Sequence, residues 1–229
     1  MRDRRDEMMD DPKLDVSLHR AALLGLARIN RLSFASRVLY TPIRDYANSI
    51  EAPVRIVDIA SGSADIPIAI LQKANAEGIR IEFVACDVSA VALEQAQLAA
   101  SRAGVPLETR CLNILHESIP PCDIVTCSLF THHLTDDQIR VLVERIMEAD
   151  PGLVLINDLR RCVWGGFLAA VIPRLITRSK VVHNDAVLSA RAALTPRELC
   201  SIVEGAGMVG ARIHRLFPAR MLLEWRRNP

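Results

Sequence analysis

From residue 53 onward, short β-branched apolar runs alternate with segments whose apolar residues recur at helical spacing. This alternation restricts the possible folds more than any other feature of the chain. Val54-Arg-Ile-Val-Asp-Ile59 reads as a strand, as do Ile79 to Cys86, Leu107 to Leu112, Asp123 to Leu129 and Gly152 to Asn157. Between them lie helical segments: Ile68 to Asn75, stopping near Gly78; Ser89 to Ala103, capped by Ser89 and ended by Gly104; and a helix capped by Thr135 that runs to about Met147. Strands joined through helices pair in parallel by right-handed crossovers. Their near-continuous apolarity implies helices on both faces. Two closing strands, Ala211 to Leu216 and Met221 to Trp225, flank a turn at Pro218. The expected fold is α/β, with a seven-stranded, mostly parallel sheet.

Upstream, Val16 to Asn48 carries apolar residues at helical spacing, two or three helices with Gly25 slightly weakening the first. Residues 16–52 therefore read as an N-terminal helical cap, and residues 1–15, charged throughout, as a flexible arm. Downstream of the fifth strand, an apolar helical segment runs from about Val163 to Ile176. A polar stretch follows, then Thr195-Pro-Arg-Glu-Leu199, a helix start with proline in its first turn.

Composition narrows the function. With 50% hydrophobic residues over 229 positions, the chain can build a core without disulfides or a structural metal. Lys+Arg 28 against Asp+Glu 27 offers no global excess for a nucleic-acid backbone, and 4% aromatics offers no stacking platform for bases. The longest apolar run, Cys162 to Pro173, is too short to span a bilayer. None of the six cysteines forms C-x-x-C, so no metal site is expected and they read as small buried hydrophobes. The charged N-terminus carries no secretory signal. A cytoplasmic protein, monomer or homodimer, is the expectation.

Ligands of an open parallel sheet bind beyond the carboxyl ends of its strands. After the first strand stands Asp58-Ile-Ala-Ser-Gly-Ser-Ala-Asp65, whose small residues admit a ligand close to the backbone. After the second stands Asp87, 25 positions beyond Gly62, where a carboxylate can accept both hydroxyls of a ribose. After the third stands Asn113, an amide able to read an adenine edge, and after the fourth Ser128-Leu-Phe-Thr-His-His133. A single loop glycine supports no pyrophosphate cradle, and no G-x-x-x-x-G-K-[ST] is present. A ligand with ribose and adenine but no phosphate fits better.

These segments, with Cys86-Asp-Val-Ser89, Leu112-Asn-Ile114 and Asp123 to Leu134, resemble the successive motifs of class I S-adenosylmethionine-dependent methyltransferases. The similarity is to the small-molecule type related to ubiquinone and menaquinone biosynthesis, and it covers about residues 54–226. It implies a Rossmann-like fold and a methyltransferase domain over residues 53–229, with lid or acceptor-pocket helices at about 160–194. The implied cofactor is S-adenosylmethionine, leaving as S-adenosylhomocysteine. Asp58, Ala60, Ser61 and Gly62 would shape the loop around the methionine portion, and Asp65 would lie near its ammonium. Asp87 would hold the ribose, Val88, Asn113 and Ile114 the adenine, and Ser128 would approach the sulfonium through its backbone. The family usually has glycine where this chain has Ala60 and Ala64, and both alanines are expected to avoid positive φ. Asn113 stands where Asp is common, and its carbonyl can still meet the adenine amino group.

The second half resembles a bacterial subgroup in Asn157-Asp-Leu-Arg-Arg161, His183-Asn-Asp185, Ser189-x-Arg191 and Thr195-x-x-Glu-Leu199. Its members often methylate hydroxyls of aromatic or polyketide-like metabolites. Such a reaction needs in-line positioning of the acceptor and a base for its proton. The candidates are His132, His133, Asp158 and His183. Two rivals remain at this level: a cofactor-binding module without catalysis, suggested by Ala60 and Ala64, and a nicotinamide-dependent reductase, opposed by the missing loop glycines. The partner in each enzyme reading is a small molecule. No Asn/Asp-Pro-Pro-aromatic motif, the mark of nucleic-acid amino-group methylation, follows the fourth strand.

Overall fold

The computed structural model describes residues 2–11 and 13–227. Its strands are β1 (Val54–Ile59), β2 (Ile81–Asp87), β3 (Glu108–Cys111), β4 (Ile124–Ser128), β5 (Leu153–Leu159), β6 (Arg212–Leu216) and β7 (Arg220–Arg226). They form one sheet in the order β3-β2-β1-β4-β5-β7-β6. β1 to β5 are parallel, and β7 runs antiparallel to both β5 and β6. The chain winds outward from β1 through β2 to β3, then returns to place β4 on the other side of β1. That reversal opens a crevice at the carboxyl ends of β1 and β4.

The helices are α1 (Val16–Leu32), α2 (Ala35–Ala47), α3 (Asp65–Glu77), α4 (Ala90–Ala103), α5 (Asp136–Glu148), α6 (Val163–Ile176), α7 (Lys180–Ala192) and α8 (Pro196–Gly205). Strand side chains alternate between faces. Ile56 of β1 packs with Leu39, Leu71 and Phe83 beneath α2, α3 and α4. Its neighbour Val57 packs on the opposite face with Val125, Ile139 and Leu142, beneath α5 and α8. The caps behave as their sequences dictate. Ser89 accepts from the Ala92 N–H, and Thr135 and Thr195 each close a capping box with the residue three positions on. Gly104 ends α4 at φ 66.

Two expectations differ from the structure, and the polar stretch gains a definite helix. The polar stretch after residue 176 is mostly helical: α7 has Ser179 as N-cap and buries Val181, Val182 and Ala192. Its apolar stripe is narrow, which hides the helix from a reading of hydrophobic content. The described residues of the expected flexible arm are docked. Arg2 donates to the carbonyls of Leu134 at 2.6 Å and Ala192 at 2.7 Å and pairs with Asp136, and Glu7 is buried. Of the six cysteines, Cys86 and Cys127 are buried as expected, Cys111 is exposed, and Cys122, Cys162 and Cys200 are half-buried. Gly25, which weakens helix propensity in isolation, lets α1 pack closely, since a Cβ there would stand 2.8 Å from Thr177 Oγ1.

Candidate active site

One large cavity, about 1240 Å³, lies between the carboxyl edge of the sheet and helices α1, α6 and α7. It exceeds the usual range for a single small ligand, roughly 300–1,000 Å³. Its walls fall into two parts.

The first part is the loop after β1 and the ends of β2 and β3. Ala60, Gly62 and Ala64 have φ of 53°, 56° and 53°, so the left-handed region recurs at every second residue. Both alanines occupy the conformation they were expected to avoid. The loop tolerates this because its fixed points overdetermine it. The Ser61 N–H donates to the Cys86 carbonyl at 3.0 Å, the Ala64 N–H to Ser61 at 2.9 Å, and the Gly62 N–H to Asp87 Oδ2 at 2.8 Å. Asp87 also accepts from the Ser89 N–H at 2.8 Å, so its carboxylate is aimed before any ligand arrives. Burial raises its pKa, opposed by these N–H donors. Asp58 is buried below the loop, accepting from Thr126 Oγ1 at 2.6 Å and from the Ser61 hydroxyl. Burial pushes its pKa to about 7.

Of the residues singled out from the sequence, Ala60, Gly62, Asp87, Val88, Asn113 and Ile114 line the cavity. Asp58, Ser61, Asp65 and Ser128 are not among its lining residues; Asp58 and Ser61 support the loop from behind. Asn113 Oδ1 accepts from the Leu115 N–H at 3.1 Å, which fixes the turn after β3. Leu129, φ 56, takes the wall position next to Ser128.

A buried arginine that the sequence does not single out completes this wall. Arg220 lines the cavity and donates through Nη2 to Asn30 Oδ1 at 3.1 Å, while its buried Nη1 has no partner. Asp65, at the start of α3, interacts with both Asn30 and Arg220, and burial raises its pKa to about 6. An unpartnered guanidinium N–H beside a carboxyl group suits the carboxylate and ammonium of an amino acid. With Asp87 aimed for a ribose, these residues fit S-adenosylmethionine.

The second part of the wall holds the histidines. His132 is buried, and its Nδ1 lies 2.6 Å from Asp158 Oδ1. Asp158 also accepts from the His132 and Leu159 N–H groups, at 3.1 and 2.6 Å, and from the Thr131 hydroxyl. Burial would raise the Asp158 pKa, but His132 and these donors bring it down to about 2. An ionised Asp158 can only accept, so His132 Nδ1 carries a proton toward it, and Nε2 is the ring nitrogen turned to Glu7. Asp158 therefore pairs with histidine, and Arg161 pairs instead with Glu198. His133 Nδ1 lies 2.9 Å from Asp10 Oδ2. Burial would lower the His133 pKa, but Asp10 and Glu7 hold it up at about 9. His183 bonds the Thr177 carbonyl at 2.7 Å and is not brought to this group.

Glu7 joins the two histidines. Its carboxylate oxygens stand 3.8 Å from His132 Nε2 and 3.9 Å from His133 Nε2, and the Ser189 hydroxyl lies 2.6 Å away. Burial raises its pKa, opposed by the histidines. The three side chains offer donor atoms within 4.8 Å of one another, a spacing a divalent ion can bridge. The same spacing sets the Glu7 carboxylate between the two histidine rings. Asp185 holds the segment in place by accepting from the Met8 and Met9 N–H groups, each at 3.0 Å. Thus Asp185 and Ser189, noticed in the sequence as subgroup motifs, anchor the N-terminal segment. The only sequence signal for its docking is the apolar pair Met8-Met9 within a charged run.

Residues 56–149 match the family described as "Methyltransferase domain". No curated protein matches the chain in sequence. Solved structures share the fold. A S-adenosylmethionine-dependent methyltransferase from Aquifex aeolicus is 15% identical with a TM-score of 0.62, over 93% of this chain and 98% of that one. Magnesium protoporphyrin IX methyltransferase from Synechocystis PCC 6803, with bound S-adenosylhomocysteine, is 12% identical with a TM-score of 0.60, over 95% and 90%. An O-methyltransferase family 2 protein from Planctomyces limnophilus DSM 3776, in complex with apigenin, is 18% identical with a TM-score of 0.57, over 86% and 62%. This chain spans 57%, 56% and 62% of the length of three such neighbours. Residues 56–149 thus carry the match to a methyltransferase domain, and the chain as a whole shares the fold of these methyltransferase structures.

Proposed function

We propose that the chain transfers the methyl group of S-adenosylmethionine to a hydroxyl of a small aromatic or polyketide-like acceptor, with His132 as the base. One observation carries this reading. A buried histidine, held by an ionised aspartate, faces the same cavity as the Asp87 and Gly62 wall.

When bound, S-adenosylmethionine supplies an electrophilic methyl on a sulfonium leaving group. Asp87 and Val88 would hold the adenosine, and Arg220 with Asp65 the amino-acid end. The apolar walls of α1, α6 and α7, including Leu26, Leu168 and Ile172, exclude water and leave room for a flat apolar acceptor. His132 Nε2 takes the acceptor proton, and Asp158 stabilises the resulting imidazolium. Protonated His133 and Glu7 set the charge around that nitrogen. The O-methyltransferase family 2 structure among the neighbours supports oxygen as the accepting atom.

The test is calorimetry with S-adenosylhomocysteine, followed by labelled methyl transfer across phenolic acceptors. Absence of binding heat would reject the cofactor assignment. Binding without turnover on any acceptor would favour the non-catalytic module. Turnover that survives His132→Ala would reject the base.

A further inference from the structure

Helix α6, Val-Trp-Gly-Gly-Phe-Leu-Ala-Ala-Val-Ile-Pro-Arg-Leu-Ile, has a single charged residue, Arg174. A helix that is apolar all round belongs in an interior. Only one side of α6 is covered: Leu168, Ala169, Ile172 and Ile176 line the cavity. The other side is open, with Val163 94% exposed, Trp164 71%, Phe167 62% and Leu175 80%. At about 100° per residue these four fall within roughly one third of the helix circumference. Phe217, 95% exposed, stands in the adjoining β6–β7 turn, where Ala219 approaches Gly165 of α6. At the α1–α2 corner, Phe34 is 64% exposed and held at φ 54, a conformation rare for a bulky side chain. Phe34 and Phe217 also line the cavity, so this apolar surface continues into its mouth.

Charge selects the partner. Lys and Arg balance Asp and Glu over the whole chain, 28 against 27, but not here. Residues 160–191 contain six Lys or Arg and one acid, the buried Asp185; residues 16–47 contain five and one. Arg28, Arg31, Arg174, Arg178 and Lys180 are exposed, and none is in an ion pair among the described residues. A second copy docked on this face by two-fold symmetry would set like charges against each other. Aromatic and aliphatic side chains beside unpaired cations suit an anionic lipid surface. Among the described residues, no helix is long and apolar enough to cross a membrane.

We propose that the open side of α6, with Phe34 and Phe217, docks onto an anionic bilayer surface and turns the cavity mouth toward it. This goes beyond the methyl-transfer reading and stands whether or not that reading holds. The test is sedimentation of the full chain with phosphatidylcholine vesicles and with vesicles containing about one-third phosphatidylglycerol. Binding is expected to the anionic vesicles, weakening at least tenfold as salt rises from about 0.1 to about 0.5 M. Trp164 emission should shift to the blue on binding, while Trp225, buried and donating to the Val209 carbonyl, contributes a constant background. Phe167→Gln with Leu175→Gln should lower binding at least tenfold, and Arg174→Gln with Arg178→Gln about fivefold per cation removed. Unchanged S-adenosylhomocysteine heat and far-ultraviolet dichroism would show that these surface variants still fold. Three results would overturn the proposal: no sedimentation with either vesicle, binding indifferent to the α6 variants, or a solution dimer that Phe167→Gln dissociates without any vesicle binding.

Discussion

The two walls of the cavity are built by opposite means. The wall assigned to the cofactor is made from neighbouring strand ends, and its central bond joins Gly62 to Asp87 across adjacent parallel strands. The histidine wall is assembled from distant parts of the chain. Arg2 reaches Leu134, Glu7 reaches His132 and Ser189, and Met8 reaches Asp185. Apart from the Arg220–Asn30 contact, the first wall follows from sheet topology. The second depends on a docked N-terminal segment held by polar contacts, which expose less of the global stability when they open. A reaction site divided in this way should also divide in its response to mutation.

The largest expected effect is His132→Ala. Loss of the base should lower kcat by about 10²–10⁴-fold. Affinity for S-adenosylhomocysteine should stay within about twofold, because His132 belongs to the other wall. A matching loss of cofactor affinity in calorimetry would show that the walls are one unit. Asp87→Ala is the converse experiment. It removes a charged acceptor from two N–H groups and from the cofactor's hydroxyls, each such bond being worth about 1.5–3 kcal/mol. Affinity for S-adenosylhomocysteine should fall by about 10²-fold, measured by the same calorimetry. An unchanged dissociation constant would remove the ribose from that position.

A smaller effect is expected at Glu7, with a pH dependence whose sign can be derived. His133 has its pKa raised to about 9 by Asp10 and Glu7, against the opposing effect of burial. Its stabilisation of the docked segment is complete below its unfolded pKa of about 6.5 and is lost as pH rises through about 9. Asp10, lowered by His133 despite burial, contributes above its unfolded value and loses that contribution as pH falls. Glu7, raised by burial, works against docking as it ionises. Proteolytic cleavage within residues 2–11 should therefore accelerate as pH rises toward 9 and beyond, once corrected for the protease's own pH dependence. Glu7→Gln removes one support of the protonated His133. It should move that acceleration to lower pH and reduce kcat by about tenfold, with cofactor affinity retained. A cleavage rate independent of pH would sink the ion-paired account of docking.

This contrast also explains what the sequence revealed. Strand runs such as Val54–Ile59, caps at Ser89 and Thr135, and the carboxylate at Asp87 depend on local spacing or on one strand pair, and all are legible. Asp158 was visible as a residue following a strand, but its partner was not. Sheet register and the turn at Thr131–His133 give it to His132. Glu7 and Asp10 were hidden because a charged N-terminal run has no periodicity to mark docking. Arg220 was hidden because a lone arginine in a closing strand reads as an edge residue until β7 is known to sit beside β5. α7 is left unmarked by periodicity, because buried Asp185 and Ser189 interrupt its apolar face; only the resemblance, with its helices at about 160–194, implies it.

The smallest expected effect tests the rigidity of the first wall. Ala60 and Ala64 both sit at φ 53, where an alanine costs about 1–2 kcal/mol relative to its ordinary conformations. Glycine adopts this conformation freely but is more flexible when unfolded, which returns about 0.4–1 kcal/mol of that gain. Ala64 is fully buried in the core beneath α2 and α3, so removing its methyl also creates a small void. Ala60 is only partly buried and lines the cavity. Ala60→Gly should therefore raise Tm by a few degrees at most, about 2–4 °C for each net kcal/mol in a chain of this size. Ala64→Gly should be neutral or slightly destabilising. If the loop is held in its strained shape by Asp87 and the sheet, cofactor affinity should change less than twofold in Ala60→Gly. A large gain in affinity, read by calorimetry, would instead mean that the alanine methyl obstructs the ligand, and that the first wall is not yet shaped for its cofactor.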